Sequence, residues 1–347
     1  MPENHLDTPN KKLTLAVVVV SYNVRELLRQ CLASVLASAA RTQDRLSVEI
    51  VVIDNASRDG SAGMVAAEFP AVRLAALAYN SGFTGGNNLA LYLLGFPVEL
   101  AHAAPGEVVP SLPRPDYVLL LNPDTTVTGE ALWLLVACLE SHPGAGACGA
   151  RLTYGDGGFQ HSAFHYPSVV QVFLDFFPLS RLPGSHRLHR GRINGRYSSH
   201  LWRGAAPFPV DFVLGAALMV RGATVAQVGG LDDGYWMYCE EMDWCLRMRD
   251  AGWLTLVAPT AHVVHYEAQS SRQLRWEMYE RLWRSRFRFY AKHRDHFPPF
   301  QLPLVRRIVR SGIALRRRAI QKAFAGGKVT GSEAAAAMAA FAAIAQQ

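Results

Sequence analysis

Asp124 is the first residue whose type and position suggest chemistry. It follows the apolar run YVLLL (117–121) and the turn residues Asn122 and Pro123, so the chain presents a carboxylate where a buried strand ends. Carboxylate oxygens are ligands for Mg²⁺ or Mn²⁺, and a divalent cation eases the departure of a diphosphate. Asp124 is therefore a candidate metal ligand. A simple turn is the alternative, because Asn, Pro and Asp all favour turns.

A second carboxylate, Asp54, ends the apolar stretch 48–53. At a strand end it could accept a hydrogen bond from a nucleobase N–H or a ribose hydroxyl. The residues that follow, Ser57 and Asp59, suit a helix start, because their side chains can cap backbone N–H groups. The competing interpretation is that Asp54 and Asn55 only shape the turn.

Three acids, Glu240, Glu241 and Asp243, lie within four residues at the start of a predicted helix. The helix dipole favours negative charge there. A carboxylate of this cluster that faces a cleft could act as general base toward a hydroxyl group. A capped, solvated helix start is the other interpretation.

His265 follows a short predicted strand in the segment AHVVHYE (261–267). Its imidazole could complete the coordination of a metal held by Asp124. His262 is a competing ligand, but side chains alternate along a strand, so the two histidines should point to different faces.

The elements that must position these residues are apolar stretches separated by helical patterns. A continuous apolar strand separated from the next by an amphipathic helix is typical of a parallel α/β sheet with helices on both faces. Ligands bind such sheets at the carboxyl ends of the strands. The sequence predicts strands at 13–20, 48–53, near 72–76 and at 117–121, a helix at 24–39, and a glycine-rich loop, NSGFTGGNN (80–88), leading into a helix at 89–94.

The remaining segments have weaker patterns. Residues 1–12 are polar and are predicted to be disordered, residues 95–116 read as a surface insertion, and residues 155–210 read as long loops on the acceptor side. A domain over 13–271 should be followed by a helical extension over 272–347. We expect its last helix, the Ala-rich stretch 332–345, to make little packing contact.

Composition narrows the class of protein. With 50% hydrophobic and 18% charged residues in 347, disorder of the whole chain is excluded. Five cysteines without a CxxC pair argue against a disulfide framework or zinc cluster and favour buried thiols in a reducing cytoplasm. No signal peptide is visible, and the apolar stretch 13–20 is too short for a bilayer, which needs about 20 residues.

The net charge of +7 is concentrated near the C-terminus. Residues 305–322 contain no acid, and their basic residues equal the net charge in number: Arg306, Arg307, Arg310, Arg316, Arg317, Arg318 and Lys322. A nucleic-acid binder with a generally basic surface is therefore disfavoured. A cationic amphipathic helix over 304–324 suits an anionic membrane surface, so we expect a cytoplasmic protein peripheral to the inner face of the cell membrane. Alternatively, its apolar stripe packs on the domain or on a second copy.

The order and spacing of several motifs resemble family 2 glycosyltransferases, in the bacterial rhamnosyltransferase-like branch. The resemblance covers about residues 13–298. Each motif is weak alone, but together they are specific: VVVVSYN, VVIDNASRDGS, NSGFTGGNN, LLLNPDT, VLGAALMVR, GGLDDGYWMYCEEMDWCLR and AHVVHYEAQSS.

The resemblance implies a GT-A fold and transfer of a sugar with inversion in a single displacement. Asp54 should then contact the base, Asn122 and Asp124 should correspond to the DxD-like metal and diphosphate motif, and His265 should lie near that metal. The nucleotide sugar should also be bordered by Ser21, Tyr22, Asn23, Asn80, Gly82, Phe83, Gly86, Asn87 and Asn88. The implied cofactor is a divalent metal, Mg²⁺ or Mn²⁺.

The family's base is usually the second acid of a Glu-Asp pair, which aligns with Glu241 after Glu240. Glu in place of Asp leaves Glu240 and Asp243 open as bases. The branch favours dTDP-rhamnose or another deoxysugar nucleotide as donor, and a glycan or lipid-linked hydroxyl as acceptor, in cell-surface polysaccharide synthesis.

Two other functions compete with transfer. A dinucleotide-dependent oxidoreductase should carry GxGxxG after the first strand, where this chain has SYNVRE. A catalytically silent nucleotide-sugar binding module would keep the fold alone. The presence of Asp124, the three acids and His265 together argues against it.

Overall fold

The computed structural model describes residues 12–100, 112–177, 194–267 and 275–347. The predicted disordered N-terminus lies outside these ranges except for Lys12. Residues 101–111 of the predicted insertion and 178–193 of the predicted long loops also lie outside them.

One large mixed sheet forms the centre of the described chain, in the order β3-β2-β1-β4-β11-β6-β12-β5, with β7 beside β6 and β9 beside β12. The strands are β1 Leu13–Ser21, β2 Leu46–Asp54, β3 Arg73–Ala76, β4 Tyr117–Leu121, β5 Thr125–Val127, β6 Ala145–Thr153, β7 Phe159–Gln160, β8 Ala163–Phe164, β9 Phe208–Val210, β10 Phe212–Val213, β11 Ala217–Arg221 and β12 Leu254–His265. The half from β3 to β4 is parallel, as predicted. Strand β11 runs antiparallel to both of its neighbours, while β8 and β10 form a separate pair.

Helices cover both faces of the sheet. They are α1 Arg25–Arg41, α2 Ser61–Glu68, α3 Gly82–Leu93, α4 Ala131–Glu140, α5 Val169–Phe176, α6 Gly222–Val228, α7 Glu240–Asp250, α8 Arg275–Lys292, α9 Gln301–Ala325 and α10 Gly331–Ala345, with short 3₁₀ turns at Ser199–Arg203 and Arg294–His296. Alternate β1 residues enter different cores: Val17 and Val19 pack with α1 and α4, and Val18 and Val20 with α3 and α7. Burial on both faces explains why the strand reads as an unbroken apolar run.

Most of the glycine-rich segment is helical rather than the predicted loop: α3 begins at Gly82. Its glycines permit close packing. A β-carbon at Gly86 would lie 2.7 Å from Cγ1 of Val20 on β1, and Gly82 has φ +78° beneath Trp236. Low helix propensity is therefore outweighed by the contact that the missing side chains allow.

The C-terminal helices pack more tightly than predicted. Ala337, Phe341 and Ile344 of α10 are buried, and the Phe341 ring contacts Trp276 and Tyr279 of α8 edge-on. The expectation of little packing was wrong because small alanines bring α10 close to its neighbours.

The first half of the apolar stripe predicted on α9 is covered. Val305, Val309 and Gly312 are buried, and a β-carbon at Gly312 would collide with the Phe176 ring of α5. The alternative of a packing face thus applies to the first half of this stripe, whereas Leu315 and Ala319 further along it are exposed, as are Arg306, Arg307 and Arg310. None of the described helices is long and apolar enough to cross a bilayer. All five cysteines are buried and unpaired in disulfides.

Candidate active site

The parallel strands bring the predicted residues to one edge of the sheet. In the register of β1 with β2, Ser21 pairs with Asp54, and on the other side Val19 pairs with Leu121, the last residue of β4. Ser21 and Asp54 therefore end neighbouring strands, and Asn122 follows the end of the next one, β4. This is where ligands bind parallel sheets.

Asp54 has one engaged oxygen and one unengaged oxygen. Its Oδ1 accepts a hydrogen bond from Ser57 N at 2.9 Å. Its Oδ2, like the neighbouring Ser21 Oγ, is buried without a partner among the described residues. Leaving a buried polar atom unpaired costs about 1–3 kcal/mol. A ligand that supplies hydrogen bonds at this edge would remove that cost.

Asn23 joins two loops at the same edge. It has φ +52°, donates its backbone N–H to Ser57 Oγ at 2.9 Å and accepts from Arg58 N at 2.8 Å through Oδ1. Its side chain is thus engaged in positioning the loop after β2. Tyr22, half-buried, precedes it.

The start of α3 borders a cavity of about 440 Å³ lined by Tyr79, Asn80, Ser81 and Trp236. Asn80 Oδ1 accepts from Gly82 N at 2.9 Å, and Phe83 N donates to the Trp236 carbonyl at 3.0 Å. The guanidinium of Arg281 covers the Trp236 ring at 3.8 Å. These contacts fix the segment before α7 against the start of α3.

Two predicted donor-side residues are engaged inside the protein. Asn87 donates to the Phe83 carbonyl. Asn88 donates to the Leu231 carbonyl and to Asp233 Oδ1, and accepts from Leu231 N. Both are buried. Their amides therefore position α3 and the loop before α7 rather than face the cleft.

Asp124 and His265 meet as predicted. Strand β12 pairs with β5 so that His265 lies opposite Thr125, and His265 Nε2 lies 3.4 Å from Asp124 Oδ1. Asn122 Nδ2 lies 3.3 Å from the same nitrogen. Both Asp124 and His265 are buried.

Gln160, on β7, orients the His265 ring. Its Oε1 lies 3.2 Å from His265 Nδ1, so a proton on Nδ1 turns the lone pair of Nε2 toward Asp124. A metal-ligating histidine usually has such a partner on its other nitrogen.

These residues fit a divalent cation that also binds substrate oxygens. The described ranges contain no group of three or more His, Cys, Asp and Glu suited to a metal. One carboxylate and one imidazole would therefore need further oxygen ligands. Mg²⁺ in particular is commonly held by one or two carboxylates together with phosphate oxygens and water.

His262 has different surroundings, as the strand alternation predicted. Its ring nitrogens lie 3.2 Å from Thr128 Oγ1 and 2.9 Å from Thr153 Oγ1. Since both nitrogens are engaged by hydroxyl groups, His262 is a structural residue.

Asp243, one of the three candidate bases, is a structural anchor. Its fully buried carboxylate contacts Arg247 at 2.8 Å, Lys292 at 2.6 Å and His293 at 2.8 Å. These hydrogen bonds and charges hold its pKa far below the ordinary value despite burial. Low basicity and shielding by three cationic partners make Asp243 the least suited of the three predicted bases.

Glu240 and Glu241 have the opposite character. Burial raises the pKa of Glu241 to about 7, and burial together with the nearby charge of Glu241 raises the pKa of Glu240 well above its ordinary value. Each has an Oε2 that is buried without a partner among the described residues. A carboxylate with a pKa near 7 is well suited to accept a proton at neutral pH.

Glu241 and Phe83 both lie close to Gly215. A β-carbon at Gly215 would lie 3.3 Å from the Phe83 ring and 3.9 Å from Glu241 Cβ. The turn that delivers Glu241 is unusual, because Tyr238 and Cys239 both have positive φ, +70° and +66°. Left-handed backbone at non-glycine residues is uncommon and occurs often at functional sites.

Sequence reasoning gave no role to Gln160, Gly215 or Trp236. Gln160 lies in a two-residue strand within a region of only weak periodicity. Gly215 and Trp236 lie inside two of the motifs on which the family resemblance is based, VLGAALMVR and GGLDDGYWMYCEE. Their position in these motifs was the signal that could have pointed to a role.

Comparison with known proteins places the chain in a family. Residues 16–93 match the sequence model of Glycosyl transferase family 2. The chain is 30% identical over 262 residues to N-acetylglucosaminyl-diphospho-decaprenol L-rhamnosyltransferase of Mycobacterium tuberculosis, covering 74% of this chain and 77% of that protein. It is 35% identical over 185 residues to Rhamnosyltransferase WbbL of Escherichia coli K12, covering 52% of this chain and 63% of the relative. The chain belongs to the family 2 glycosyltransferases and is rhamnosyltransferase-like.

A solved structure supports the fold. The mannosyltransferase PcManGT from Pyrobaculum calidifontis, in complex with GDP-Man and Mn²⁺, superposes with a TM-score of 0.52 at 17% identity, covering 98% of this chain and 82% of that one. The predicted GT-A fold is confirmed. The family membership excludes the oxidoreductase and identifies the chain as a glycosyltransferase.

Proposed function

We propose that this enzyme transfers rhamnose, or another deoxysugar, from a nucleoside diphosphate to a hydroxyl of a lipid-linked glycan in cell-surface polysaccharide synthesis. The observation that carries the proposal is the buried Asp124–His265 pair, 3.4 Å apart beyond the carboxyl ends of the strands. The sequence similarity of the chain to two rhamnosyltransferases supports a rhamnose nucleotide as donor.

The nucleoside would bind at the ends of β1 and β2. Asp54 Oδ2 can accept from a base N–H or ribose hydroxyl, and Ser21 Oγ can donate or accept. The buried, unpartnered state of both atoms supports this assignment. Asn122, beside His265 Nε2, would contact the diphosphate.

Asp124 and His265 would hold Mg²⁺ or Mn²⁺. When bound, the cation acts as a Lewis acid that stabilises negative charge on the departing diphosphate. The chain's own contribution is to fix both ligands in a buried edge and to orient the imidazole through Gln160.

Glu241 would be the general base. The acceptor oxygen attacks the anomeric carbon, the bond from that carbon to the diphosphate oxygen breaks, and the hydroxyl proton passes to the Glu241 carboxylate. A single displacement inverts the configuration at the anomeric carbon. The pKa of about 7 supports this role, and Glu240 remains the second candidate.

The basic side of α9 would hold the enzyme against anionic lipid. Arg306, Arg307 and Arg310 are exposed there, and each basic residue near such a surface adds about 1 kcal/mol of binding. Charge would dominate, because the first half of the apolar stripe is buried in the protein. Binding to anionic liposomes should therefore weaken as salt rises.

The proposal is tested by a panel of nucleotide sugars. A true donor at 100 times its dissociation constant should stabilise the enzyme by roughly 2.7 kcal/mol, and it should be cleaved slowly to free sugar in a chelator-sensitive reaction. If dTDP-rhamnose and the other deoxysugar nucleotides neither stabilise the protein nor are cleaved, while a UDP-hexose does both, the donor assignment is wrong. If no nucleotide sugar is cleaved, the transferase proposal itself fails.

A further inference from the structure

A groove of about 580 Å³ lies among α8, α9 and α10. None of its lining residues belongs to the donor edge, the strand ends at Ser21, Asp54 and Asn122. Its walls are mainly aromatic and aliphatic, formed by Trp276, Tyr279, Leu282, Ile320 and Phe341. Its volume is that of a small-molecule pocket rather than of a protein interface.

The groove also touches the turn that leads to the proposed base. Tyr238 lines it and precedes Glu241 by three residues, a stretch that spans at most about 11 Å. Ser285 Oγ of α8 donates to the Met237 carbonyl at 2.9 Å and ties this turn to the groove wall. A ligand in the groove would therefore lie close to the acceptor side of the reaction.

Two arginines give the apolar groove a positive charge. Arg316 donates to Tyr279 Oη and to the Asp175 carbonyl, both at 2.6 Å, which leaves further N–H groups of its guanidinium for a ligand. Arg275 lies over the Trp276 ring at 4.9 Å. The acid that faces it is Glu333, at 3.9 Å.

Helix α9, which forms one wall of the groove, contains no acidic residue that would offset these arginines. An apolar groove whose lining includes Arg275 and Arg316 complements an amphiphile whose head is a diphosphate. Neither a neutral glycan nor a neutral lipid would use both features.

We infer that this groove binds the prenyl diphosphate portion of the acceptor. The first isoprene units pack against Trp276 and Phe341, and the diphosphate contacts Arg316 and Arg275, while the sugar extends past Tyr238 toward Glu241. This inference rests on the proposed transfer to a lipid-linked acceptor, and it assigns that acceptor a site.

The test uses farnesyl diphosphate binding to the full chain, measured by calorimetry. Excess dTDP and UDP with Mg²⁺ keep the donor site filled. A319W, which fills the groove from α9, should weaken binding on the order of tenfold or more. A314W adds the same bulk on the same helix at an exposed residue outside the groove, and it should bind like wild type. Farnesol and inorganic pyrophosphate should each bind at least about tenfold more weakly than farnesyl diphosphate.

Equal binding by A319W and wild type would overturn the inference. Farnesol binding as tightly as farnesyl diphosphate would overturn it too, because the arginines would then have no role. If anionic phospholipid vesicles displace farnesyl diphosphate from wild type and bind A319W poorly, the occupant is a bilayer lipid and the acceptor assignment is wrong. Donor cleavage by wild type is scored separately, so loss of farnesyl diphosphate binding with cleavage intact refutes the groove alone.

Discussion

The carboxylates at the strand edge and at the start of α7 differ in how many of their oxygens have partners. At the edge, Asp54 keeps a buried oxygen without a partner in the described chain. Near the start of α7, Asp243 has Arg247, Lys292 and His293 on its oxygens. A saturated buried acid stabilises the fold, whereas an unsaturated one is arranged for a ligand or a proton. Helix α7 contains both kinds, because Glu241, two residues before Asp243, has a buried oxygen with no partner among the described residues.

Removing the saturated acid should give the largest loss of stability. Asp243→Asn leaves the buried His293 and the partly buried Arg247 and Lys292 without their carboxylate, which should cost about 3–5 kcal/mol in the free energy of unfolding. Urea denaturation measures this. Since the folded pKa of Asp243 lies far below its ordinary value, this stabilisation is complete above about pH 4 and is lost in stronger acid. An unchanged midpoint would refute the structural assignment.

Asp124→Ala should do the reverse and remove activity from a stable protein. Loss of several kcal/mol of leaving-group stabilisation corresponds to a fall in turnover of about 10³-fold. Turnover at saturating metal and the melting temperature are measured together. Wild-type turnover by this variant in excess chelator would show that the pair has no metal role.

Glu241→Gln should reduce kcat by about 100-fold while donor affinity stays the same, because a general base typically contributes that much. Glu240→Gln is the control, since it makes the same change one residue away, at a side chain more deeply buried than that of Glu241. If the control loses kcat and Glu241→Gln retains it, the base is Glu240. Rapid-quench kinetics with saturating donor separates the chemical step from binding.

The smallest effect should come from Gln160→Leu. It removes the acceptor on His265 Nδ1 and so frees the ring, and loss of such a supporting contact commonly weakens metal affinity by about 10- to 100-fold. The apparent metal constant should rise, and kcat at saturating metal should recover. If kcat stays low at saturating metal, Gln160 acts in some other way.

The local pattern of apolar residues was enough to predict the strand ends that form the donor edge. The apolar strands 13–20 and 117–121 were identified from composition, and parallel pairing then brought Ser21, Asp54 and Asn122 together. The start of α3 was missed because close packing of Gly86 on Val20 outweighs the low helix propensity of glycine. The tight packing of α10 was missed because alanines carry little hydrophobic signal.

The acids of α7 could not be separated by sequence. Asp243 is distinguished from Glu241 by Lys292 and His293, which lie about 50 residues further along the chain. No local pattern reports such a contact. The same holds for Gln160, whose role depends on a histidine 105 positions away.

The most direct test of the account is the pH dependence of kcat with saturating donor, metal and acceptor. Burial raises the pKa of Glu241 to about 7, so the carboxylate is protonated and inactive below that pH and ionised above it. By linkage, the raised pKa means that the folded state favours the neutral carboxyl of Glu241. Its contribution to stability is fully present below the ordinary pKa of 4.5 and is lost as pH rises through about 7. We therefore expect log kcat to rise with unit slope in acid and level off near pH 7, and we expect Glu241→Gln to lack that limb. A profile that is flat from about pH 5 to 8 in the wild type, or a limb that persists in Glu241→Gln, would contradict the assignment of Glu241 as the base.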